Sequence, residues 1–98
     1  MTEIVIELYG TPHCGRAARS EDNISTCLSL LGERANQVQF KYYDMRTRKG
    51  IVQADANNVP SRSTTIFKKD GVPVDRINAR VAEISEIKRV LDALLGSA

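Results

Sequence analysis

The chain lacks tryptophan altogether, and its 98 residues include one histidine, two cysteines and three prolines. One histidine and two well-separated cysteines do not make a ligand set, so an ordinary metal site is excluded. Two cysteines are also too few to staple a small secreted scaffold. No apolar run approaches the roughly 20 residues of a membrane span. Met1-Thr2-Glu3 leads straight into a strand-like run and leaves no room for a signal peptide. A cytoplasmic protein with no membrane anchor is expected. Charge of one sign is scarce as well: the formal net charge is +2, too weak to argue for nucleic acid. Lys41, Arg46, Arg48 and Lys49 cluster locally, and read as a solvated loop and helix start.

What is present suffices for one domain spanning residues 1–98. Hydrophobic residues make up 42% of the chain, enough to bury a core. There is no internal repeat, low-complexity segment or linker. Ile4-Val5-Ile6-Glu7-Leu8 is rich in β-branched residues and strand-like. Ile24, Cys27, Leu28 and Leu31 then recur at helical spacing. Between them lies Tyr9-Gly10-Thr11-Pro12-His13-Cys14-Gly15-Arg16-Ala17, which sets Cys14 where a strand ends and a helix begins. A thiol at a helix N-terminus tends toward thiolate, the nucleophilic form. Cys27 shares the apolar stripe of that helix and reads as a small buried hydrophobe. It lies about 20 Å along the helix from Cys14 at 1.5 Å rise per residue. A disulfide needs Cα atoms within about 7 Å, so the two do not pair.

Downstream, Val38, Phe40 and Tyr42 alternate with polar residues as a strand would. Ile51, Val52, Ala54 and Ala56 suggest a short helix ending at Asn57-Asn58. Thr64-Thr65-Ile66-Phe67-Lys68 reads as a third strand, and Asp70-Gly71 as a hairpin turn into a fourth from Val72 to Ile77. Pro73 puts that fourth strand at a sheet edge. The last helix carries Ile84, Ile87, Leu91 and Leu94 on one face and stops at Gly96. The order β-α-β-α-β-β-α predicts an α/β fold. Its mixed four-stranded sheet, near residues 3–9, 38–43, 63–68 and 72–77, would have helices on both faces, with the first two strands parallel.

This order, with a cysteine at the first strand-to-helix junction, resembles the thioredoxin superfamily over nearly the whole chain. Tyr9 to Cys14 looks like the glutaredoxin approach to its nucleophilic cysteine. The segment from Val59 to Gly71 resembles the thioredoxin stretch carrying a proline, threonine, aliphatics, a phenylalanine and a glycine turn. Two departures stand out. The family's second cysteine is replaced by Ala17, and the position of its cis-proline falls on Ser63. A rival alignment pairs Val59-Pro60 with the glutaredoxin valine–proline pair. A cis bond before Ser63 would cost about 2.5–4 kcal/mol, so a trans bond is expected.

The resemblance implies a thiol–disulfide oxidoreductase confined to one nucleophile, Cys14. Glutathione would be its co-substrate, a glutathione or protein mixed disulfide its substrate, and no resident cofactor would be needed. Substrate contacts would come from Tyr9, Pro12, His13, Arg16, Arg62, Ser63 and Thr64, in part through main-chain groups of the last three. A monomer is expected. His13 also reads as an exposed, mostly neutral loop histidine. Three other readings stand beside this one. They are a binding module on the same fold that has lost catalysis, an iron–sulfur carrier suggested by Cys14-Gly15 but lacking the rest of that pattern, and a dithiol enzyme deliberately altered at Ala17 to trap mixed disulfides.

Overall fold

Residues 2–96 are described by a computed structural model, and its first strand, β1 (Ile4–Gly10), organises the rest. Successive residues of a strand face opposite sides. Ile4, Ile6 and Leu8 of β1 face one layer of helices, and Tyr9 faces the other. All seven residues of β1 are buried, as a central strand covered on both faces requires.

α1 (Gly15–Leu31) returns the chain across the sheet and ends at Gly32, where a 3-10 turn (Gly32–Gln37) leads into β2 (Val38–Asp44). β2 pairs parallel with β1, Ile4 opposite Val38 and Tyr9 opposite Tyr43. α2 (Arg48–Ala56) starts three residues before its apolar pattern does. The reason is Thr47, whose side chain accepts from the Gly50 N–H at 3.0 Å and caps the helix. β3 (Thr64–Lys69) then runs antiparallel to β1, and β4 (Val72–Ile77) antiparallel to β3. Asp70 and Gly71 both have positive φ, 52° and 83°, as the tightest hairpin turn demands. The Asp70 carboxylate also accepts from the Glu3 N–H at 2.8 Å, holding the start of the chain to the hairpin. α3 (Ile84–Leu95) closes the chain against α1.

The strand order is β2-β1-β3-β4, mixed, with β4 and its Pro73 at an edge as expected. α1 and α3 cover one face. Ile24 and Cys27 there pack with Ile87, Val90 and Leu91 over Ile4, Ile6, Leu8 and Phe67. α2 covers the other face, where Ala54 packs with Tyr9 and Ile66. One detail of the last helix differs from its sequence pattern. Val90 joins Ile87 and Leu91 in the core, while Ile84 at the helix start stays 37% exposed.

Candidate functional site

The site is built where β1 hands over to α1. After Gly10 the chain makes a tight turn over Thr11-Pro12-His13-Cys14, closed by the Cys14 N–H on the Thr11 carbonyl at 3.0 Å. Cys14 is itself the N-cap residue, extended at φ −88° and ψ 108°, and its carbonyl accepts the first helical bond from the Ala18 N–H. Pro12 and His13 are exposed at the tip of this turn, and Cys14 is half-buried beneath it.

Four groups act on the Cys14 sulfur. The N–H of Ala17 does most to hold the thiol below its ordinary pKa. Partial burial opposes this, while the Arg16 N–H and then the Arg16 and Arg62 guanidinium charges add to the lowering. No strict side-chain cap bond closes at this helix start. The effect is that of a sulfur facing the positive end of a helix, with two cations nearby. Cys27 behaves oppositely. It is 1% exposed, and burial pushes its thiol up.

α1 presses directly on the strand it left. A Cβ placed on Gly10 would lie 2.5 Å from the Ala17 Cβ and 3.0 Å from the Tyr42 hydroxyl, so only glycine fits. Ala17 is fully buried there. The site therefore holds one partly open thiol, and the side chain three positions on is a methyl group packed inward.

The second side of the site is the entry to β3. Ser63 immediately precedes this strand, whereas Pro60 lies three residues earlier and is exposed. Every described peptide bond is trans. Ser63 is fully buried with φ 58°, a left-handed conformation uncommon for a residue with a Cβ, and its hydroxyl donates to the Arg62 carbonyl at 2.7 Å. The Thr64 hydroxyl donates to the Ser61 carbonyl at 2.9 Å and accepts from the Ala79 N–H at 3.3 Å. Arg16 in turn donates to the Ala79 carbonyl at 3.3 Å. The backbone of Ala79, itself at φ 56°, thus ties the first turn of α1 to the start of β3.

Of the residues expected at the site, the structure brings Cys14, Arg16 and Arg62 into one electrostatic neighbourhood and joins Thr64 to it through Ala79. The side chains of Ser63 and Thr64 are fully buried, which leaves their main chain as the part that could meet a ligand. Tyr9 is the correction. It has no exposed surface and lies in the core under α2, stacked on Tyr43 with ring centroids 5.1 Å apart. Its hydroxyl donates to the Glu7 carboxylate at 2.7 Å. The physical reason is strand alternation: Tyr9 shares its face of β1 with Glu7, two residues earlier, while Ile4, Ile6 and Leu8 take the face toward α1.

Two site residues escaped sequence reasoning. Tyr42 reaches Gly10 from β2, and burial raises its pKa, followed by the charges of Glu21, Asp44 and Cys14. Its period-2 spacing with Val38 and Phe40 is the signal that could have found it, since the three share the face of β2 that packs against the core beneath α1 and α3. Ala79 gave no signal, because its part is played by backbone alone.

No protein-family model and no curated protein matches the chain. Solved structures do resemble it. Thioredoxin-2, described as a component of malaria parasite protein secretion machinery, aligns with TM-score 0.77 and 12% identity over 94% of this chain and 84% of its own. A mutant thioredoxin of Halobacterium salinarum gives 0.76 and 16%, over 95% and 75%. Fasciola hepatica thioredoxin gives 0.69 and 21%, over 94% and 81%. At such identities the likeness speaks for architecture, and this chain has the thioredoxin-like fold.

Proposed function

We propose that this chain is a thiol–disulfide oxidoreductase working through Cys14 alone, on mixed disulfides of glutathione or of a protein. The observation that carries the reading is the placing of a partly open Cys14 sulfur against the Ala17 and Arg16 N–H groups, beside Arg16 and Arg62. That arrangement favours thiolate, the form that attacks disulfides.

The cycle uses two displacements. The Cys14 thiolate attacks the glutathione sulfur of a mixed disulfide, a new S–S bond forms, and the substrate leaves as a thiolate that takes a proton. A second glutathione thiolate then attacks the glutathione sulfur held on Cys14. Oxidised glutathione departs with Cys14 restored as thiolate, so one glutathione is consumed: its sulfur enters the new disulfide, and the substrate sulfur is released as a thiol. Arg16 and Arg62 would hold a carboxylate of the glutathionyl group, and main-chain groups of Arg62-Ser63-Thr64 would align it, with Pro12 and His13 bordering the approach. A monomer in a cytoplasm rich in reduced glutathione suits this cycle. No helix among the described residues is long and apolar enough to cross a membrane.

A second reading, a binding module without catalysis, is favoured by Ser63. Its left-handed backbone differs from anything proline can adopt, since proline holds φ near −65°. One measurement separates the two. The pH dependence of Cys14 alkylation in the folded, reduced protein is expected to show a midpoint below that of free cysteine, about 8.5. A midpoint at or above that value would leave the binding module as the better account.

A further inference from the structure

Arg76 stands half-buried on the edge strand β4. Each nitrogen of its guanidinium donates to a neutral acceptor. Nη1 reaches the Asn57 carbonyl and Nη2 the Asn58 carbonyl, both at 3.1 Å, and Nε reaches the Asn78 side-chain oxygen at 3.0 Å. Asn57 is the C-cap of α2, where carbonyls are left without helical partners. Asn58 follows it with φ 53°, and Ala79, next to Asn78, has φ 56°. Left-handed backbone at residues with a Cβ persists only where surrounding contacts over-determine it.

The two places that Arg76 holds are the two ends of one segment. Residues 59–63 leave Asn58 and run to Thr64, whose hydroxyl accepts from the Ala79 N–H at 3.3 Å. Within that segment lies Arg62, exposed, with its charge acting on Cys14. The Asn58 carbonyl is itself at an exposed position, where water would satisfy it. What the guanidinium adds there is a fixed place for the chain. We infer that Arg76 is a positioning residue, clamping both ends of the 59–63 segment so that Arg62 is held where an anionic disulfide meets Cys14. A planar fork with several fixed donors suits this task, and a lysine ammonium does not. The inference rests on the proposed use of Arg62 in binding the glutathionyl group.

The test follows oxidation of Cys14 in the full-length reduced protein by two disulfides, glutathione disulfide, which is anionic, and 2-hydroxyethyl disulfide, which is uncharged. The readout is the ratio of their second-order rate constants. Both disulfides meet the same thiolate, so a change in thiolate fraction or in overall stability leaves that ratio alone. The parent ratio is expected to exceed that of a neutral free thiol, N-acetylcysteine amide. Arg76→Lys keeps the charge but cannot span three acceptors, and should lower the ratio about threefold, the scale of one exposed ion pair. Arg62→Met should lower it by a similar factor, and the two changes together should lower it no further. If Arg76→Lys does not fold, Asn78→Ala, which frees the Nε end of the clamp, decides the matter by a fall in the same ratio. A parent ratio no higher than that of the free thiol would sink the glutathione reading and this inference with it. A raised parent ratio that survives in the folded variant, or additive losses in the double variant, would overturn the clamp alone.

Discussion

Cys14 and Ala17 show how much can turn on one side chain. The Ala17 N–H favours the Cys14 thiolate whatever residue stands at that position, because it is a backbone group. What Ala17 withholds is a second sulfur. The other cysteine is buried in the middle of α1, about 20 Å along the helix, and cannot resolve a disulfide on Cys14. In the absence of glutathione the proposed chemistry stops at a mixed disulfide on Cys14, and Ala17→Cys is therefore expected to give reduction of a protein disulfide with turnover. The check is an insulin-reduction assay beside far-ultraviolet circular dichroism to confirm the fold. Unchanged reductase activity in a folded variant would remove the main support for the redox proposal.

At the scale of an element, α3 shows a helix start secured by charge. The Glu86 carboxylate accepts two bonds from the Arg80 guanidinium, at 2.7 and 2.5 Å, and a third from the Glu83 N–H at 3.2 Å. The Arg80 bonds above all hold its pKa down at about 2. A folded-state pKa below the unfolded one stabilises the protein at pH above the unfolded value, and that contribution is lost as pH falls through the folded value. For Glu86 the window runs from the ordinary glutamate value of about 4.3 down to about 2. Thermal melts should accordingly show Glu86→Gln less stable than the parent near neutral pH. The gap should close as the pH approaches about 2. A constant gap across that range would mean that the side chain matters for shape and not for charge.

The whole molecule is held through its middle by a feature that no helix or strand pattern contains. Glu7 on β1 and Lys68 on β3 form an ion pair at 3.2 Å with side chains only 5% and 13% exposed. Tyr9 donates to the same carboxylate, and Asn57 donates to the Tyr9 hydroxyl at 3.3 Å. Removing one partner of a buried pair strands the other charge and typically costs about 3–5 kcal/mol, whereas replacing both with apolar residues is often near neutral. Lys68→Met should thus lower stability by that amount in urea denaturation. Lys68→Met combined with Glu7→Leu should recover most of it. Equal loss in the single and double variants would show that packing, not charge, is at stake.

Sequence alone determined the order of elements, the parallel pair, the hairpin and the edge position of β4. Each of these is set by local information, the alternation of a strand, the spacing of a helix, or the chemistry of Asp70-Gly71 and Pro73. It also placed Cys14 at the start of α1 and Cys27 in the core, since one stands at the strand-to-helix junction and the other belongs to the apolar stripe. Only the tertiary structure decided what surrounds Cys14. Arg62, expected there only through the family resemblance, and Ala79, not expected at all, reach the site from more than forty residues away, and Tyr42 arrives from a neighbouring strand. The left-handed backbones of Ser63 and Ala79 follow from how their loops are anchored, not from their residue types, which ordinarily avoid positive φ. Tyr9 was misplaced for the same reason. Its nearness to Cys14 along the chain says nothing of its side of the sheet until the partners of β1 are known, and those partners put it beneath α2.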